Sequence, residues 1–166
     1  ITGAGSGLGL GTAIGLAQKG FNVIATVQDW PQVTALRAMS QSKNIKLTVE
    51  KFDYKNDDDF ETVVKKYGDC VDVLVLNAAT GETGPAAEIP IKRYRDVFEV
   101  NVFKTLEIAQ HFAKRFAQKR RGKIIVTSST AGLQTYPFLA PYTASKHAVE
   151  AIFQQMHQEL APLNVQ

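Results

Sequence analysis

A glycine-rich run near the start of the chain restricts the possible fold more than any other feature. Five glycines occupy alternate positions from 3 to 11, and a helical pattern of apolar residues begins at Ala13 directly after them. Glycine permits positive φ angles, and a glycine loop that leads from a strand into a helix presents free N–H groups to an anion. The spacing fits the pattern Thr-Gly-x-x-x-Gly-x-Gly, and it fits neither G-x-G-x-x-G nor the P-loop. The pattern falls on Thr2, Gly3, Gly7 and Gly9. A flexible glycine linker is the alternative, which the flanking apolar segments disfavour.

Apolar segments typical of buried strands alternate with helical patterns along the chain. The predicted strands lie at residues 22–27, 45–52, 71–76 and 123–127, after a first strand whose tail is Ile1 and Thr2. The predicted helices cover residues 7–19, 31–40, 57–67 and 93–118, and a last helix begins at Tyr142. Continuous apolar strands are typical of a parallel sheet with helices on both faces, and right-handed crossovers make such a sheet doubly wound. We therefore predict an α/β, Rossmann-like fold whose ligands bind beyond the carboxyl ends of the strands.

A second motif lies near the other end of the chain. Tyr142 and Lys146 are four residues apart, so both side chains lie on one face of a helix. A free phenol has a pKa of about 10, and a neighbouring lysine cation lowers this pKa, so that the phenol can act as acid or base. Ser129 precedes the tyrosine by thirteen residues and can hold the oxygen that gains or loses the proton. A lysine-bearing surface helix also produces this spacing by accident, and the glycine run is what favours the chemical interpretation.

The glycine loop and the Ser…Tyr-x-x-x-Lys site together resemble the short-chain dehydrogenase/reductase family. The resemblance implies an oxidoreductase that uses NAD(H) or NADP(H) and acts on an alcohol/carbonyl pair. It implies that Tyr142 is the acid in reduction and the base in oxidation, and that Ser129 positions and polarises the substrate oxygen. Lys146 would lower the pKa of the tyrosine and hold the nicotinamide ribose hydroxyls. Asn101 would perturb its helix and support a proton relay through a bound water, although a satisfied structural asparagine remains an alternative. A dinucleotide-binding regulatory or scaffold protein on the same fold is the alternative function.

The resemblance also assigns residues to the dinucleotide. The glycine loop would hold the pyrophosphate, an aspartate after the third strand would bind the adenine amino group, and the segment after the fourth strand would shape the cofactor cleft. The predicted cofactor-binding residues are Gly3, Ser6, Gly7, Leu8, Gly9, Val27, Asp53, Asn77 and Ala78, together with Tyr142 and Lys146. A turn aspartate is the competing interpretation of Asp53. The family's Asn-Asn-Ala-Gly is Leu-Asn-Ala-Ala here, over residues 76–79, so only its two middle positions match.

The choice between the two nicotinamide cofactors depends on the end of the second strand. NAD-preferring members of the family often hold an acid at the position of Val27, where it binds ribose hydroxyls. NADP-preferring members place a cation in the glycine loop or after this strand, and those places hold Ser6 and Gln28 here. Asp29 would repel a 2′-phosphate weakly. We therefore expect a slight preference for NAD(H), with NADP(H) tolerated.

The loop at residues 130–141 lies on the expected substrate side. The predicted substrate-binding residues are Ser129, Leu133, Gln134 and Tyr142. Leu133 and Phe138 indicate a partly apolar substrate. Tyr136 is the nearby rival to the catalytic phenol, but no lysine follows it four residues on.

Composition limits the remaining possibilities. With 166 residues, of which 45% are hydrophobic, we expect a single domain over residues 1–166. The chain opens inside the first strand and closes at the start of another, so we expect both ends to be truncated. A net charge of +3 is too small to indicate nucleic acid. No apolar run reaches the roughly 18 residues of a membrane span, and the histidines lack metal-ligand spacing.

The expected surroundings of the protein follow from the same observations. Cys70 is the single cysteine, which excludes an internal disulfide framework and suits a reducing compartment. We expect a cytoplasmic protein that binds a small alcohol or carbonyl substrate and needs no nucleic acid, membrane or metal. By the family resemblance, it would form a homodimer or homotetramer through the helices at 93–118 and 142–162.

Overall fold

The computed structural model describes all residues from 1 to 166. Its contacts divide the chain into two compact units. The first unit is Ile1–Val71 with Val75–Ala78, and the second is Asp72–Leu74 with Ala79–Gln166. The prediction of a single domain stays a prediction.

Parallel strand pairing organises the first unit. Strand β1 (Val23–Val27) pairs in parallel with β2 (Leu47–Lys51), in a register that places Ala25 opposite Val49. Ile1 and Thr2 are not assigned to a regular strand, but their backbone groups form hydrogen bonds to β1 and to Val75 as strand residues do. The Thr26 amide donates to the Ile1 carbonyl at 2.8 Å, and the Thr2 amide donates to the Val75 carbonyl at 2.9 Å. Apolar side chains from β1, β2 and the adjoining helices form the core: Ala4, Ala13, Val23, Ala25, Val27, Val33, Leu36 and Val49.

Local sequence signals set the helices of the first unit. Helix α1 (Gly7–Gln18) follows the glycine loop, and Gly20 ends its last turn at a φ of +85°. Helix α2 (Trp30–Ser42) begins after Asp29, whose carboxylate accepts a hydrogen bond from the Gln32 amide. Helix α3 (Asp57–Tyr67) begins after Asn56, whose side chain accepts from two amides of the acidic first turn.

The second unit contains strand pairing and the long helices. Strand β3 (Val73–Leu76) contributes its first two residues to this unit, which also contains β4 (Lys123–Val126), and the Lys123 amide donates to the Asp72 carbonyl at 3.1 Å. Gly122 and Val165 form a parallel bridge on the other side of β4. Helix α6 covers Ala140–Leu160, so it begins two residues before the predicted start. No helix of the chain combines the length and the apolar composition that a membrane crossing requires.

The predicted helical segment over residues 93–118 is present, but it is not a regular α-helix throughout. Helix α4 (Ile91–Phe98) passes into a π-helical turn at Glu99–Lys104, and α5 (Thr105–Lys119) continues from it. Thr105 Oγ1 donates to the Val100 carbonyl at 3.1 Å inside the widened turn. A π-turn holds one extra residue and often marks a functional site. The π-turn contains Asn101, at which the family resemblance implied a perturbed helix.

The order of elements confirms the predicted fold class. Strands and helices alternate from α1 to α6, and the chain is an α/β protein of the Rossmann-like, doubly wound class. This class places its ligands at the carboxyl ends of the strands. The glycine loop, Asn77 and Ser129 each lie at or near such an end.

Candidate active site

The glycine loop is folded too tightly to accept side chains at two of its positions. A Cβ on Gly3 would lie 2.7 Å from the Ala78 Cα, and a Cβ on Gly9 would lie 2.3 Å from the Gly3 carbonyl oxygen. Gly3 and Gly7 also have φ angles of +64° and +53°, which side chains disfavour. At both Gly3 and Gly9, close contacts therefore leave no room for a side chain. At Gly3 the backbone conformation also requires glycine.

Thr2 links the loop to the end of β3. Its Oγ1 accepts hydrogen bonds from the amides of Asn77 at 3.0 Å and Ala78 at 3.1 Å. The Tyr54 hydroxyl donates to the same Thr2 oxygen at 2.7 Å. The Asn77 side chain in turn donates to the carbonyls of Thr2 and Gly3, each at 3.2 Å. Asn77 and Ala78 thus hold the shape of the glycine loop, and the sequence carried no signal that Tyr54 would join them.

The start of α1 fits an anionic group. Ser6 precedes the helix and makes no side-chain capping bond, so the amides of the first turn keep their capacity to donate. A Cβ on Gly7 would meet nothing within 4 Å, which shows that the space in front of this turn is open. Leu8 is exposed beside it. Free amides, the helix dipole and open space are the features that a dinucleotide pyrophosphate requires.

The remaining predicted cofactor residues of the first unit differ in exposure. Val27 lies at the end of β1, but its side chain is only 1% exposed and packs in the core. A contact between Val27 and a ligand would therefore come from its backbone, and the first exposed side chains after β1 are Gln28 and Asp29. Asp53 forms a turn, since its Oδ1 accepts from the Lys55 amide at 3.0 Å. The turn leaves Asp53 Oδ2 for another partner, so both interpretations of this residue stand.

Tyr142 and Lys146 lie one turn apart on α6, in the second unit. The Lys146 Nζ is 5.7 Å from the centroid of the Tyr142 ring. Lys146 is only 4% exposed, and its Nζ donates to the Thr127 carbonyl at 2.7 Å. Burial lowers the pKa of Lys146, and the Glu150 carboxylate opposes part of that shift. The geometry gives a cation beside a phenol, with ammonium hydrogens remaining for further partners.

The structure distinguishes the two serines that follow β4. Ser129 Oγ accepts from the Ala131 amide at 3.1 Å and begins a short 3₁₀ turn at Thr130–Gly132. Its own hydroxyl hydrogen remains to be donated. Ser128 Oγ is buried without a hydrogen-bond partner, beside the Cβ position of Gly132. Ser129 therefore keeps a hydroxyl hydrogen for a partner, and its predicted role at a substrate oxygen stays a prediction.

Asn101 is held by a backbone segment that the sequence did not identify. Its Oδ1 accepts from the Thr80 amide at 2.8 Å, and its Nδ2 donates to the Thr80 carbonyl at 2.8 Å. The same Nδ2 donates to Ser145 Oγ at 2.9 Å. Asn101 is 2% exposed, so these bonds satisfy an amide that burial would otherwise penalise.

The comparisons with known proteins agree with this geometry. The sequence model of the short chain dehydrogenase family matches residues 1–166, which is the whole chain. The chain belongs to this family. An NADPH-dependent 3-dehydrocapnine reductase from Ornithobacterium rhinotracheale is 35% identical over an aligned length of 169 residues, and the match covers 96% of this chain and 59% of the relative.

Two solved structures of dehydrogenases show the same fold. The gluconate 5-dehydrogenase from Burkholderia cenocepacia J2315, in complex with NADP and tartrate, is 25% identical with a TM-score of 0.88 and matches 100% of this chain and 66% of its own. The NAD⁺-bound xylitol dehydrogenase is 26% identical with a TM-score of 0.88 and matches 99% of this chain and 65% of its own. The chain thus spans about 60% of the length of the curated relatives that it matches.

The loop before α6 presents its side chains to solvent. All side chains from residue 133 to residue 138 are exposed, and none of them is charged. The Gln134 amide is bonded to the Tyr136 hydroxyl, which donates to Thr130 Oγ1 at 3.1 Å. Leu133 is an exposed apolar side chain, and Gln134 is exposed as well, with its side-chain nitrogen bonded to Tyr136.

Proposed function

We propose that the protein is a nicotinamide-dependent oxidoreductase that interconverts an alcohol and a carbonyl compound. The observation that supports this most directly is the buried Lys146 ammonium beside the Tyr142 ring, at 5.7 Å from its centroid. A cation beside a phenol can assist the transfer of its proton, which is the task of a general acid or base. Membership of the short chain dehydrogenase family supports the same chemistry.

The proton-transfer residues have separate tasks in this proposal. In reduction, the Tyr142 hydroxyl donates its proton to the oxygen of the carbonyl substrate, and in oxidation the phenolate takes the proton from the alcohol. The Ser129 hydroxyl donates a hydrogen bond to the same oxygen and holds it in place. Lys146 stabilises the phenolate and, with its remaining hydrogens, holds the hydroxyls of the nicotinamide ribose. Asn101 supports the relay that returns a proton to Tyr142 after the tyrosine has donated its own.

The glycine loop would hold the pyrophosphate of the dinucleotide through the amides at the start of α1. When bound, the nicotinamide group supplies or accepts the hydride, and the protein contributes orientation and electrostatics. We propose a slight preference for NAD(H), because Ser6 and Gln28 offer no cation to a 2′-phosphate and Asp29 repels it. Asp53 would bind the adenine amino group through its remaining carboxylate oxygen.

The exposed, uncharged loop at residues 133–138 supports a partly apolar alcohol or ketone as substrate, contacted by Leu133 and Gln134. We further propose a cytoplasmic homodimer or homotetramer that associates through the helices around the π-turn and α6. The exposed Phe103 supports this, whereas Val97 on the same helical segment is buried and does not face outward.

The direct test is binding followed by turnover. NADH and NADPH are titrated into the purified protein while the dinucleotide fluorescence is followed, and a panel of ketones and alcohols is then assayed for oxidation or formation of the reduced dinucleotide. We expect saturable binding and turnover of at least one carbonyl or alcohol. Binding without turnover of any alcohol or ketone would favour a regulatory dinucleotide-binding protein instead.

A further inference from the structure

Ser145 lies inside the Tyr-x-x-x-Lys segment, but it belongs to none of the roles described so far. Its side chain is 0% exposed. Ser145 Oγ accepts a hydrogen bond from Asn101 Nδ2 at 2.9 Å and donates one to the Tyr142 carbonyl oxygen at 2.7 Å. One buried hydroxyl therefore connects the asparagine of the π-turn to the backbone of the tyrosine.

The direction of this hydrogen-bond chain follows from Thr80. Its amide can only donate and its carbonyl can only accept, so Asn101 Oδ1 must face the Thr80 amide and Nδ2 the Thr80 carbonyl. The second hydrogen of Nδ2 then goes to Ser145 Oγ, and the hydroxyl hydrogen goes on to the Tyr142 carbonyl. Each donor has one acceptor, and successive bonds of this kind strengthen one another.

We propose that Ser145 is a positioning residue for the proton-transfer site, holding the turn of α6 that bears Tyr142 and Lys146 against the π-turn at Asn101. This inference rests on the proposed function. Ser145 touches neither substrate nor dinucleotide in this proposal, and it acts through the residues on either side of its two hydrogen bonds. The extra bond to the Tyr142 carbonyl, three residues back, also fixes the local geometry of the first turns of α6.

Removing the hydroxyl has a specific consequence. Ser145→Ala leaves one hydrogen of Asn101 Nδ2 buried without an acceptor, a state that proteins avoid by rearranging. A shift of the asparagine or of the α6 turn would move the proton donor relative to the substrate oxygen, and such displacements reduce rates strongly. We therefore expect kcat to fall about tenfold, with the KM for the dinucleotide changed less than about threefold. Alanine favours helices, so the variant should fold.

Thr143 offers a matched control on the same turn of α6. It is 6% exposed, and its Oγ1 is buried without a hydrogen-bond partner. Thr143→Val therefore removes a buried hydroxyl of the same motif without removing a bond, and it should keep kcat within about twofold of the wild type. Asn101→Ala allows a double-mutant test, because the effects of substituting two residues that act through one another are not additive. In that background, Ser145→Ala should lower kcat by less than about twofold.

The test measures kcat and KM for the wild type, for the three single variants Ser145→Ala, Thr143→Val and Asn101→Ala, and for the double variant that combines Ser145→Ala with Asn101→Ala. Hydrogen exchange of the Asn101 side-chain amide, measured by NMR, is the readout independent of turnover. We expect its protons to exchange at least about tenfold faster in Ser145→Ala than in the wild type or Thr143→Val.

Each result decides the proposal. The positioning role would be overturned if Ser145→Ala kept the wild-type kcat, or if Thr143→Val lost as much kcat as Ser145→Ala. It would also be overturned if the effects of Ser145→Ala and Asn101→Ala on kcat were fully additive, or if the exchange rate of the Asn101 side-chain amide were unchanged. None of these results would contradict the proposed oxidoreductase activity. A wild-type protein that binds dinucleotide but turns over no alcohol or ketone would overturn the proposed function, and this inference with it.

Discussion

The ammonium nitrogen of Lys146 donates a 2.7 Å hydrogen bond to the carbonyl oxygen of Thr127, the residue that directly follows β4. This bond joins a side chain of α6 to the carboxyl end of a strand. It holds a buried ammonium group one helical turn from Tyr142, with the nitrogen 5.7 Å from the centroid of the tyrosine ring.

Tyr142→Phe should lower kcat at least about 10²-fold and leave dinucleotide binding unchanged, because the hydroxyl transfers the proton while the ring only packs. Turnover is measured with the best substrate of the panel, and binding by dinucleotide fluorescence. Tyr94→Phe is the control, since this phenol lies on α4 and no lysine follows it four residues on. Near-normal turnover by Tyr142→Phe would contradict the assignment of the acid.

Lys146 should make the free energy of unfolding rise with pH in the alkaline range. Burial lowers its pKa in the folded protein below the usual value of 10.5. Between the lowered value and 10.5, the unfolded chain still binds the proton and the folded protein does not. Stability therefore increases with pH across that window. In Lys146→Met this contribution is absent.

The measurement is urea denaturation of the wild type and of Lys146→Met from pH 8 to pH 10.5, and the quantity compared is the difference between the two free energies of unfolding. It should shift in favour of the wild type as the pH rises. A difference that stays constant with pH would show that the pKa of Lys146 is not lowered by folding.

Gly9→Ala should destabilise the protein by about 1–3 kcal/mol and weaken dinucleotide binding. The added Cβ would lie 2.3 Å from the Gly3 carbonyl oxygen and 2.5 Å from Asn77 Nδ2, so the loop would have to move. Gly11→Ala is the control on the same helix, where a Cβ meets nothing within 4 Å. Alanine there should stabilise the protein by about 0.5–1 kcal/mol. Urea denaturation and dinucleotide titration are carried out on both variants. The prediction would be contradicted if Gly9→Ala and Gly11→Ala changed the free energy of unfolding in the same direction.

Gln28→Arg should move the preference toward NADP(H). The side chain at this position is exposed after β1, whereas the side chain of Val27 is buried. A charge-assisted hydrogen bond is worth about 1.5–3 kcal/mol, so the ratio of kcat/KM values for NADPH and NADH should rise about tenfold or more. Gln41→Arg adds the same charge at an exposed position on α2 and should leave the ratio unchanged. If the ratio in Gln28→Arg were the same as in the wild type, this position would not face the 2′-phosphate.

Much of the fold followed from local patterns in the sequence. Apolar runs, the caps Asp29 and Asn56 and the glycines of the first loop set elements whose bounds agree with the structure to within a few residues. The reason is that these signals act between residues close in sequence, through backbone conformation and the first hydrogen bonds of each helix. The spacing of Tyr142 and Lys146 belongs to the same class, because a helix alone puts them on one face.

The tertiary structure decided which distant groups these residues meet. Helical propensity does not show that the helix widens around Asn101, or that this side chain bonds to Thr80 and Ser145. Nor does the sequence show that Tyr54 bonds to Thr2, that Val27 turns into the core or that Ser128 rather than Ser129 is closed off. A buried polar group takes whatever partner the folded chain places within hydrogen-bond distance, and that partner is distant in sequence, where no local pattern reports it.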